Sequence, residues 1–442
     1  MKNIKIYSLL ACLCLLTQSC LFSEDDVFDD SSAQRAMASV DECHAALQSA
    51  SNGWLMEYYP GDGPEFGGYN LIAKFGDDYV ELASEMTTDN YAAGEVCTTL
   101  YKVVSFQGTE LSFDSHNELI HMFCEPNGYN DPGYAGDYEF IFRSVSKEKI
   151  VLTGKKRGNT LVMTPLSADT DWKDFLNGIN RIKDDAPYAT YKLKIGGTEV
   201  VNMFRSEHAL TVTSVDDRGQ ATTVRYPYIY TEEGIKMFEP MEINGTVMTQ
   251  FAWDSAKRTF VCTDEGVNAS VEFYCPANYP NYVGTYRMRY GSSQSTVTIS
   301  QKIEGVSYTL RGLPQFDIEV SFNFDTECID LLYQYLGKYG SYQVYLCPWD
   351  AAAGYLTWSE GTGLSGYITS QGTDPMTIEF EDNGVYGSAS SLLYYAFTGS
   401  PSSDTAAGSL LQIPYPTLQK ICLLYTSPSP RDGATSRMPS SA

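Results

Sequence analysis

The chain has few basic residues for its length. Its 442 residues include 30 lysines and arginines against 55 aspartates and glutamates, which gives a formal net charge of −25. Such a surface repels nucleic acid and anionic lipid headgroups, because both carry dense negative charge. The sequence therefore excludes DNA and RNA as partners.

Long hydrophobic runs are also missing beyond the N-terminal region. A helix that crosses a bilayer needs about 20 consecutive apolar residues. The apolar run at 6–16 is shorter than that, and no later run approaches this length. We therefore expect no transmembrane helix in the body of the chain, and attachment to a membrane only through a covalent lipid.

The motifs of several common hydrolases are absent. The chain has four histidines and no H-E-x-x-H, so a zinc-peptidase site has no support. It also has no G-x-S-x-G elbow for a nucleophilic serine and no D-x-[DN]-x-[DN]-G calcium loop. We predict no catalytic residues, no metal site and no cofactor.

One group of residues contains side chains that can bind metal ions. It consists of Asp114, His116, Glu118, His121 and Cys124. A spacing of five residues places the two histidines on one face of neither a helix nor a strand. We interpret the group as an ordinary polar loop rather than a metal site.

A glycine-rich segment matches the dinucleotide-binding pattern G-x-G-x-x-G. It reads Gly361-Thr362-Gly363-Leu364-Ser365-Gly366, but Tyr367-Ile368-Thr369 follow where a phosphate-binding helix would have to begin. The segment therefore predicts a glycine-rich β-turn.

The N-terminal region has a distinct charge and apolar pattern. Two lysines precede the short apolar run, and Leu16-Thr17-Gln18-Ser19-Cys20 is followed, after two apolar residues, by Ser23-Glu24-Asp25-Asp26. This pattern predicts a signal peptide at 1–19, a lipid anchor on Cys20 and an acidic tether at 20–32. The alternative is a secreted protein that is cut elsewhere.

The rest of the chain predicts a mainly β fold with two helices. The 33 tyrosines favour strands and amphipathic contact surfaces. Helical spacing occurs in Met37, Val40, His44 and Leu47, and again in Trp172, Phe175, Leu176, Ile179 and Ile182. Period-two alternation predicts strands at 54–59, 69–75, 79–83, 101–106, 138–142, 150–153, 161–164, 296–301, 308–311, 318–324, 329–336, 342–347 and 376–380.

These elements suggest two successive β domains. The sequence at 98–113 and 139–153 is weakly similar to that at 222–238 and 249–262. This internal repeat favours two related antiparallel β-meanders within 33–276, joined by the second helix. The segment 276–281, which contains two prolines, is where we expect the domain boundary. We expect an antiparallel β-barrel or sandwich domain at 282–421.

Seven cysteines lie in the body of the chain, at 43, 97, 124, 262, 275, 328 and 347. An odd number cannot all pair. Cys262 with Cys275 and Cys328 with Cys347 are plausible disulfides in an exported protein. Buried free thiols are the alternative.

Residues 422–442 differ abruptly from the tyrosine-rich sequence before them. They resemble translated sequencing-adapter DNA, which would place the end of the natural reading frame at about Ile421. A natural Ser/Pro-rich tail is the alternative. No functional inference is drawn from this segment.

Two surface groups are candidates for ligand binding. One is the group Trp349, Tyr355, Trp358 and Tyr367, a candidate platform on which sugars or apolar ligands stack, with core packing as the alternative. Lys155-Lys156-Arg157 is the one dense basic cluster. It is interpreted as a charged hairpin tip, with docking of an anionic ligand as the alternative.

Residues 20–185 resemble the bacterial lipoprotein family called domain of unknown function 4302. The resemblance is carried by the blocks 52–60, 67–70, 111–114, 136–140 and 154–159. It implies a cell-surface or periplasm-facing lipoprotein, often encoded beside TonB-dependent nutrient importers, and it supplies no catalytic residues. The acidic residues after Cys20 resemble the surface-export signal of such proteins, so we expect an outer-membrane lipoprotein that faces the cell exterior.

These observations lead to one expected function and two alternatives. We expect a non-enzymatic accessory that binds glycan or peptide for a TonB-dependent importer. A hydrolase of the same substrates and a structural or adhesive surface protein are the alternatives. An acid pair or metal cluster in a cleft would favour the hydrolase, whereas a flat aromatic platform would favour binding.

Overall fold

The computed structural model describes residues 31–106, 108–126, 133–215, 220–370 and 376–421. The predicted signal peptide, the Cys20 anchor, the tether up to residue 30 and the segment 422–442 lie outside the described residues. The chain forms two compact units. One comprises the chain up to Arg181 together with Pro227–Glu232, and the other comprises Ile182–Tyr226 and the chain from Glu233 onward.

Helix α1 spans Ser32–Gln48 and begins with a capping box. The Ser31 hydroxyl accepts a hydrogen bond from the Gln34 backbone N–H, and the Gln34 side chain accepts one from the Ser31 N–H. Cys43 and Leu47, one helical turn apart, face the core. The prediction that Met37 shares this face is wrong, because its side chain is 68% exposed.

The first unit contains a nine-stranded antiparallel sheet in the order β4-β3-β2-β1-β9-β8-β7-β6-β5. Trp54 and Tyr58, on one of its interior strands, are fully buried, and the Trp54 indole donates to the Leu47 carbonyl at 2.7 Å, which links α1 to the sheet. Short helix α2 (Glu118–His121) follows β6, and helix α3 (Trp172–Asp185) follows β9. The strands are β1 (Trp54–Tyr59), β2 (Tyr69–Phe75), β3 (Tyr79–Ser84), β4 (Cys97–Leu100), β5 (Lys102–Ser105), β6 (Thr109–Ser112), β7 (Glu139–Val145), β8 (Ile150–Gly154) and β9 (Thr160–Pro165).

A closed eight-stranded barrel follows α3, with its strands in sequence order and β10 paired with β17. Its interior packs the side chains of Tyr191, Leu193 and Val271, which are fully buried. The strands are β10 (Thr190–Ile195), β11 (Thr198–Ser206), β12 (Ala209–Val215), β13 (Ala221–Tyr230), β14 (Gly234–Ile243), β15 (Thr246–Asp254), β16 (Thr259–Cys262) and β17 (Ala269–Phe273).

The remaining strands form a second closed barrel and a five-stranded sheet. A 3-10 helix, Tyr279–Tyr282, precedes them where the sequence places a domain boundary. The barrel consists of β18 (Gly284–Tyr290), β19 (Ser293–Ile303), β20 (Ser307–Arg311), β21 (Ile318–Phe322), β22 (Ile329–Leu332), β26 (Gly363–Ile368), β27 (Thr377–Asp382) and β30 (Thr417–Lys420). The sheet consists of β23 (Gln334–Tyr339), β24 (Tyr342–Asp350), β25 (Tyr355–Leu356), β28 (Ser391–Phe397) and β29 (Ala406–Pro414).

The mainly β fold class, with antiparallel sheets, an N-terminal helix and an internal helix, is confirmed. One predicted strand, 329–336, is instead two strands in different sheets, β22 and β23. The break falls at Tyr333, whose N–H donates to the Thr362 carbonyl at 2.8 Å. Among the described residues, no helix is long and apolar enough to cross a membrane.

The two β-meanders proposed as related are built differently. Strands β6, β7 and β8 pair in succession, as β14, β15 and β16 do. However, β4 lies at the far edge of an open sheet, whereas its proposed counterpart β13 pairs directly with β14 inside a closed barrel. The similarity therefore extends over three consecutive strands, and the repeat stays a prediction.

The seven body cysteines are all free thiols. The two suggested disulfides are wrong, and the alternative of buried thiols is confirmed for five of the seven. Cys262 donates to the Asp264 carboxylate at 3.3 Å, while Cys328 and Cys347 lie on strands of two different sheets or next to them. Burial raises the pKa of Cys347 to about 12.

Alkylation of the native protein is expected to be slow at Cys347 and Cys328, which are 0% and 1% exposed. The thiolate is the reactive form, and burial suppresses both its formation and its access to reagent. We expect iodoacetamide at neutral pH to modify these thiols at least about tenfold faster after unfolding. Peptide mass spectrometry measures this, and a peptide that links Cys328 to Cys347 would contradict it.

Candidate functional site

Three of the five sequence blocks that carry the family resemblance, 52–60, 136–140 and 154–159, meet in a buried polar network. The Tyr58 hydroxyl lies 3.0 Å from both the Asp137 carbonyl and Asn159 Oδ1, and it accepts from the Asp137 N–H at 2.6 Å. The Asn159 amide donates to the Gly61 carbonyl at 2.7 Å. All three side chains are at most 4% exposed. Since every polar atom here faces protein rather than solvent, the network stabilises the fold and offers no ligand site.

The basic cluster belongs to the same network. The backbone N–H groups of Lys156 and Arg157 donate to the Asp137 carboxylate at 3.1 and 3.0 Å. Lys155 forms ion pairs with Glu110 at 2.9 Å and with Glu139 at 3.4 Å. The cluster is therefore a hairpin tip held by acidic side chains of its own unit, as the first interpretation predicts, and its lysine at 155 is already paired.

Gly154 closes this hairpin where no side chain fits. A methyl group at this position would overlap Asp137 Oδ2 and lie 2.9 Å from the Asn159 backbone nitrogen. We expect Gly154→Ala to lower the free energy of unfolding by about 1–2 kcal/mol, because it displaces a carboxylate that holds two backbone N–H groups. Thermal unfolding measures the loss. Gly399→Ala is the control, because its methyl group would meet only Thr405 Cγ2 at 3.6 Å.

Two of the five candidate metal ligands meet, since the His116 and His121 rings lie with their centroids 5.0 Å apart, but the others have different partners. His116 pairs with Glu125 at 3.2 Å, Glu118 accepts from the Asn90 amide at 2.8 Å, and Asp114 pairs with Lys102. The His121 ring stacks on Tyr138 with centroids 4.8 Å apart, and burial lowers its pKa. No group of three or more potential ligands that could hold a metal ion occurs among the described residues.

The four aromatic residues selected from the sequence are distributed over two sheets. Trp349 lies on β24, and Tyr355 pairs with Asp350 in the β24–β25 hairpin. Trp358 packs edge-on against Phe397 of β28, with ring centroids 5.8 Å apart. Tyr367 lies on barrel strand β26. The G-x-G-x-x-G segment at 361–366 forms a turn at Gly361, as predicted, and then enters β26.

Around Trp358 the structure assembles an aromatic surface that we call the aromatic face. It consists of Tyr333, Tyr335, Tyr345, Trp358, Tyr395 and Phe397. Tyr345 is central: its ring is parallel to Tyr333 within 6° at 5.6 Å, and lies 5.1 Å from Tyr335 and 5.7 Å from Phe397. Tyr335 is 49% exposed, and Tyr333, Tyr345, Trp358 and Tyr395 are half-buried. Phe397 is fully buried and packs against Tyr345, Trp358 and Tyr395 without reaching solvent.

Strand alternation creates this surface. Val344, Leu346, Leu392 and Tyr394 point into the hydrophobic core, so the alternate positions of β24 and β28 point the other way. Tyr345 and Tyr395 are direct cross-strand partners, as are Tyr335 and Tyr345. Three strands therefore place their tyrosines side by side on one face of the sheet.

The aromatic face is poor in charge. The positions of the four main strands on this side carry Gln343, Ser409 and Gln412 beside the aromatic rings, together with the buried Cys347, Ser391 and Leu393, and no carboxylate. Burial raises the pKa of Tyr333, and one carboxylate, that of Glu360 in the loop after Trp358, lies close enough to raise it further. Lys338, opposite Gln343 at the edge of the sheet, is the one charged side chain at these strand positions. The Tyr345 hydroxyl donates to Gln343 Oε1 at 3.1 Å, whereas those of Tyr335 and Tyr395 have no described partner. Such a surface suits a neutral ligand with both apolar and hydroxyl groups.

The sequence identifies one member of this surface and misses five. Trp358 belongs to the candidate platform predicted from the sequence, because it lies near a glycine turn and other aromatic residues. Tyr345 and Tyr395 are fifty positions apart, and only their strand pairing brings them together. Alternation along 342–347 was the available signal, since it marks Tyr345 as the residue facing away from Val344 and Leu346.

A comparison with protein-family models matches residues 24–255 to the family described as a domain of unknown function, DUF4302. This match covers more than half of the chain. The chain belongs to this family. A second family, DUF4987, also described as a domain of unknown function, matches residues 265–390. Searches of curated proteins and of solved structures found no match.

The DUF4302 match extends the predicted resemblance from residue 185 to residue 255. It covers the nine-stranded sheet and the first barrel up to β15. The aromatic face lies on strands β23 and β24, within the second match, and on β28, which begins just after it. The candidate ligand surface and the buried network of the family blocks are thus on separate parts of the chain.

Proposed function

We propose that the protein is an outer-membrane lipoprotein, facing the cell exterior, that binds neutral glycan through the aromatic face as an accessory of a TonB-dependent importer. The observation that carries the proposal is the cluster of tyrosine rings on one sheet face, where the strand positions hold no carboxylate. The lipoprotein-type start at Cys20 and the acidic residues after it support the location.

Glycan is favoured over peptide by the chemistry of the face. Sugar rings present flat C–H surfaces that pack on aromatic rings, and their hydroxyl groups bond to amides and phenols. The aromatic face offers both, with rings from Tyr335, Tyr345 and Tyr395 and side-chain amides from Gln343 and Gln412. The strand positions offer a charged peptide only Lys338, at the edge of the sheet.

A binding screen tests the ligand. The purified protein is applied to an array of neutral and acidic glycans and to a peptide pool, and the released products are analysed in parallel. Stable binding of neutral glycans supports the proposal. Turnover without stable binding supports the hydrolase and overturns it, and binding to host surface proteins alone supports the adhesive alternative.

The location is tested separately. Metabolic labelling with palmitate is expected to label the protein, and Cys20→Ser is expected to abolish the label because the acylated sulfur is lost. Protease treatment of intact cells is expected to digest the protein. Labelling of the serine variant, or full protection in intact cells, would contradict the surface-lipoprotein assignment.

A further inference from the structure

The second unit contains a cleft of about 460 Å³ between strands β10–β12 of the first barrel and the loop that joins β21 to β22. This volume falls in the range of about 300–1,000 Å³ that is usual for small-molecule sites. The two walls belong to the segments matched by two different family models. Neither matched segment forms the cleft alone, and boundaries between domains are common places for ligand sites.

Aromatic rings form the apolar part of the wall. Phe204 of β11 lies 4.8 Å from Phe324, and Phe324 lies 5.4 Å from Phe322, measured between ring centroids. Tyr274 lines the cleft as well, and the Lys192 ammonium group lies 5.4 Å from its ring centroid. A tyrosine of this wall therefore already has a cation on one side of its ring.

The polar part of the wall is acidic and hydroxylic. Asp325 and Glu327 line the cleft together with Asn202 and three threonines, and no lysine, arginine or histidine is among the lining residues. Neither carboxylate forms an ion pair with a described residue; Lys192 nearby is paired with Glu199 at 3.0 Å. Glu327 is held in place, since Asn278 donates to its carboxylate and the Tyr282 hydroxyl donates to its carbonyl at 2.9 Å.

We propose that this cleft binds an organic cation, namely the ammonium or guanidinium group of a lysine or arginine side chain on a peptide. Two uncompensated carboxylates beside aromatic rings supply both the charge and the ring faces that such groups need. The net charge of −25 adds a long-range attraction for cations. This site is independent of glycan binding at the aromatic face.

Calorimetry with single amino-acid probes tests the site in the full chain. N-acetyl-lysine amide and N-acetyl-arginine amide are titrated, with N-acetyl-norleucine amide as the neutral probe of similar length. We expect binding of at least one cationic probe and none of the neutral one. The double variant Asp325→Asn/Glu327→Gln is expected to bind at least about tenfold more weakly. Phe324→Leu, which keeps apolar bulk but removes the ring, is expected to bind about threefold more weakly.

A matched control separates the cleft from general surface charge. Glu379→Gln/Asp404→Asn removes the same two charges at exposed positions outside the cleft. Unchanged affinity in this variant supports the site. Equal weakening in both double variants, equal binding of the norleucine probe, failure of both cationic probes to bind the natural chain, or displacement by calcium but not by sodium at equal ionic strength would overturn it.

Discussion

Replacing Tyr335 and Tyr395 by alanine is expected to weaken the binding of neutral glycan by at least about tenfold, which corresponds to about 1.4 kcal/mol. Both rings flank Tyr345 on the aromatic face, and their hydroxyl groups have no described partner to compete with a ligand. Removing them takes away the flat apolar surface on which a sugar ring packs. Glycan titration followed by calorimetry measures the loss.

Tyr79→Ala is the matched control for this prediction. Tyr79 lies on β3 in the other unit and is 45% exposed, close to the 49% of Tyr335. We expect its replacement to leave glycan affinity unchanged. Tyr355 is 69% exposed and belongs to the platform predicted from the sequence but not to the aromatic face. Tyr355→Ala therefore tests which of the two surfaces binds the glycan. If Tyr355→Ala abolishes binding and the double variant does not, the ligand surface is wrongly placed.

Local sequence pattern predicted the strands well where turns bound them sharply. The predicted 54–59 and 69–75 coincide with β1 and β2, because alternating aromatic and aliphatic residues end there at proline and glycine. The prediction for Met37 was wrong because helical spacing identifies residues on one side of a helix but does not show which of them contact the sheet. The segment 329–336 failed because alternation continues through Tyr333, while the chain there passes from a barrel into another sheet.

Non-local pairing is what the sequence could not supply. Strand β1 pairs with β9, more than a hundred residues later, and the two barrels close by pairing β10 with β17 and β18 with β30. Hydrophobic periodicity identifies single strands, but it does not show which strands pair or in what register. The aromatic face depends on such registers, so only Trp358 of its six members was found. The cleft depends on the packing of two barrels, and no motif marks it.

The Tyr58 hydroxyl is expected to stabilise the first unit more than any other single polar group of the network. We expect Tyr58→Phe to lower the free energy of unfolding by about 3 kcal/mol, because it leaves the Asp137 N–H and Asn159 Oδ1 buried without this partner. Burial raises the pKa of Tyr58 well above its usual value, so the hydroxyl keeps the proton that it donates. Thermal unfolding measures the loss of stability.

Hydrogen exchange locates the effect of the same change. Peptides that cover 133–140 and 154–160 are expected to lose protection, since both segments bond to the Tyr58 hydroxyl or to each other through Asp137. Tyr79→Phe removes a hydroxyl from an exposed tyrosine of the same sheet, and we expect it to change stability by no more than about 0.5 kcal/mol. Equal losses in the two variants would show that the network does not hold these segments as a unit. A loss confined to Tyr58→Phe would show that one buried set of hydrogen bonds links three of the blocks that carry the family resemblance.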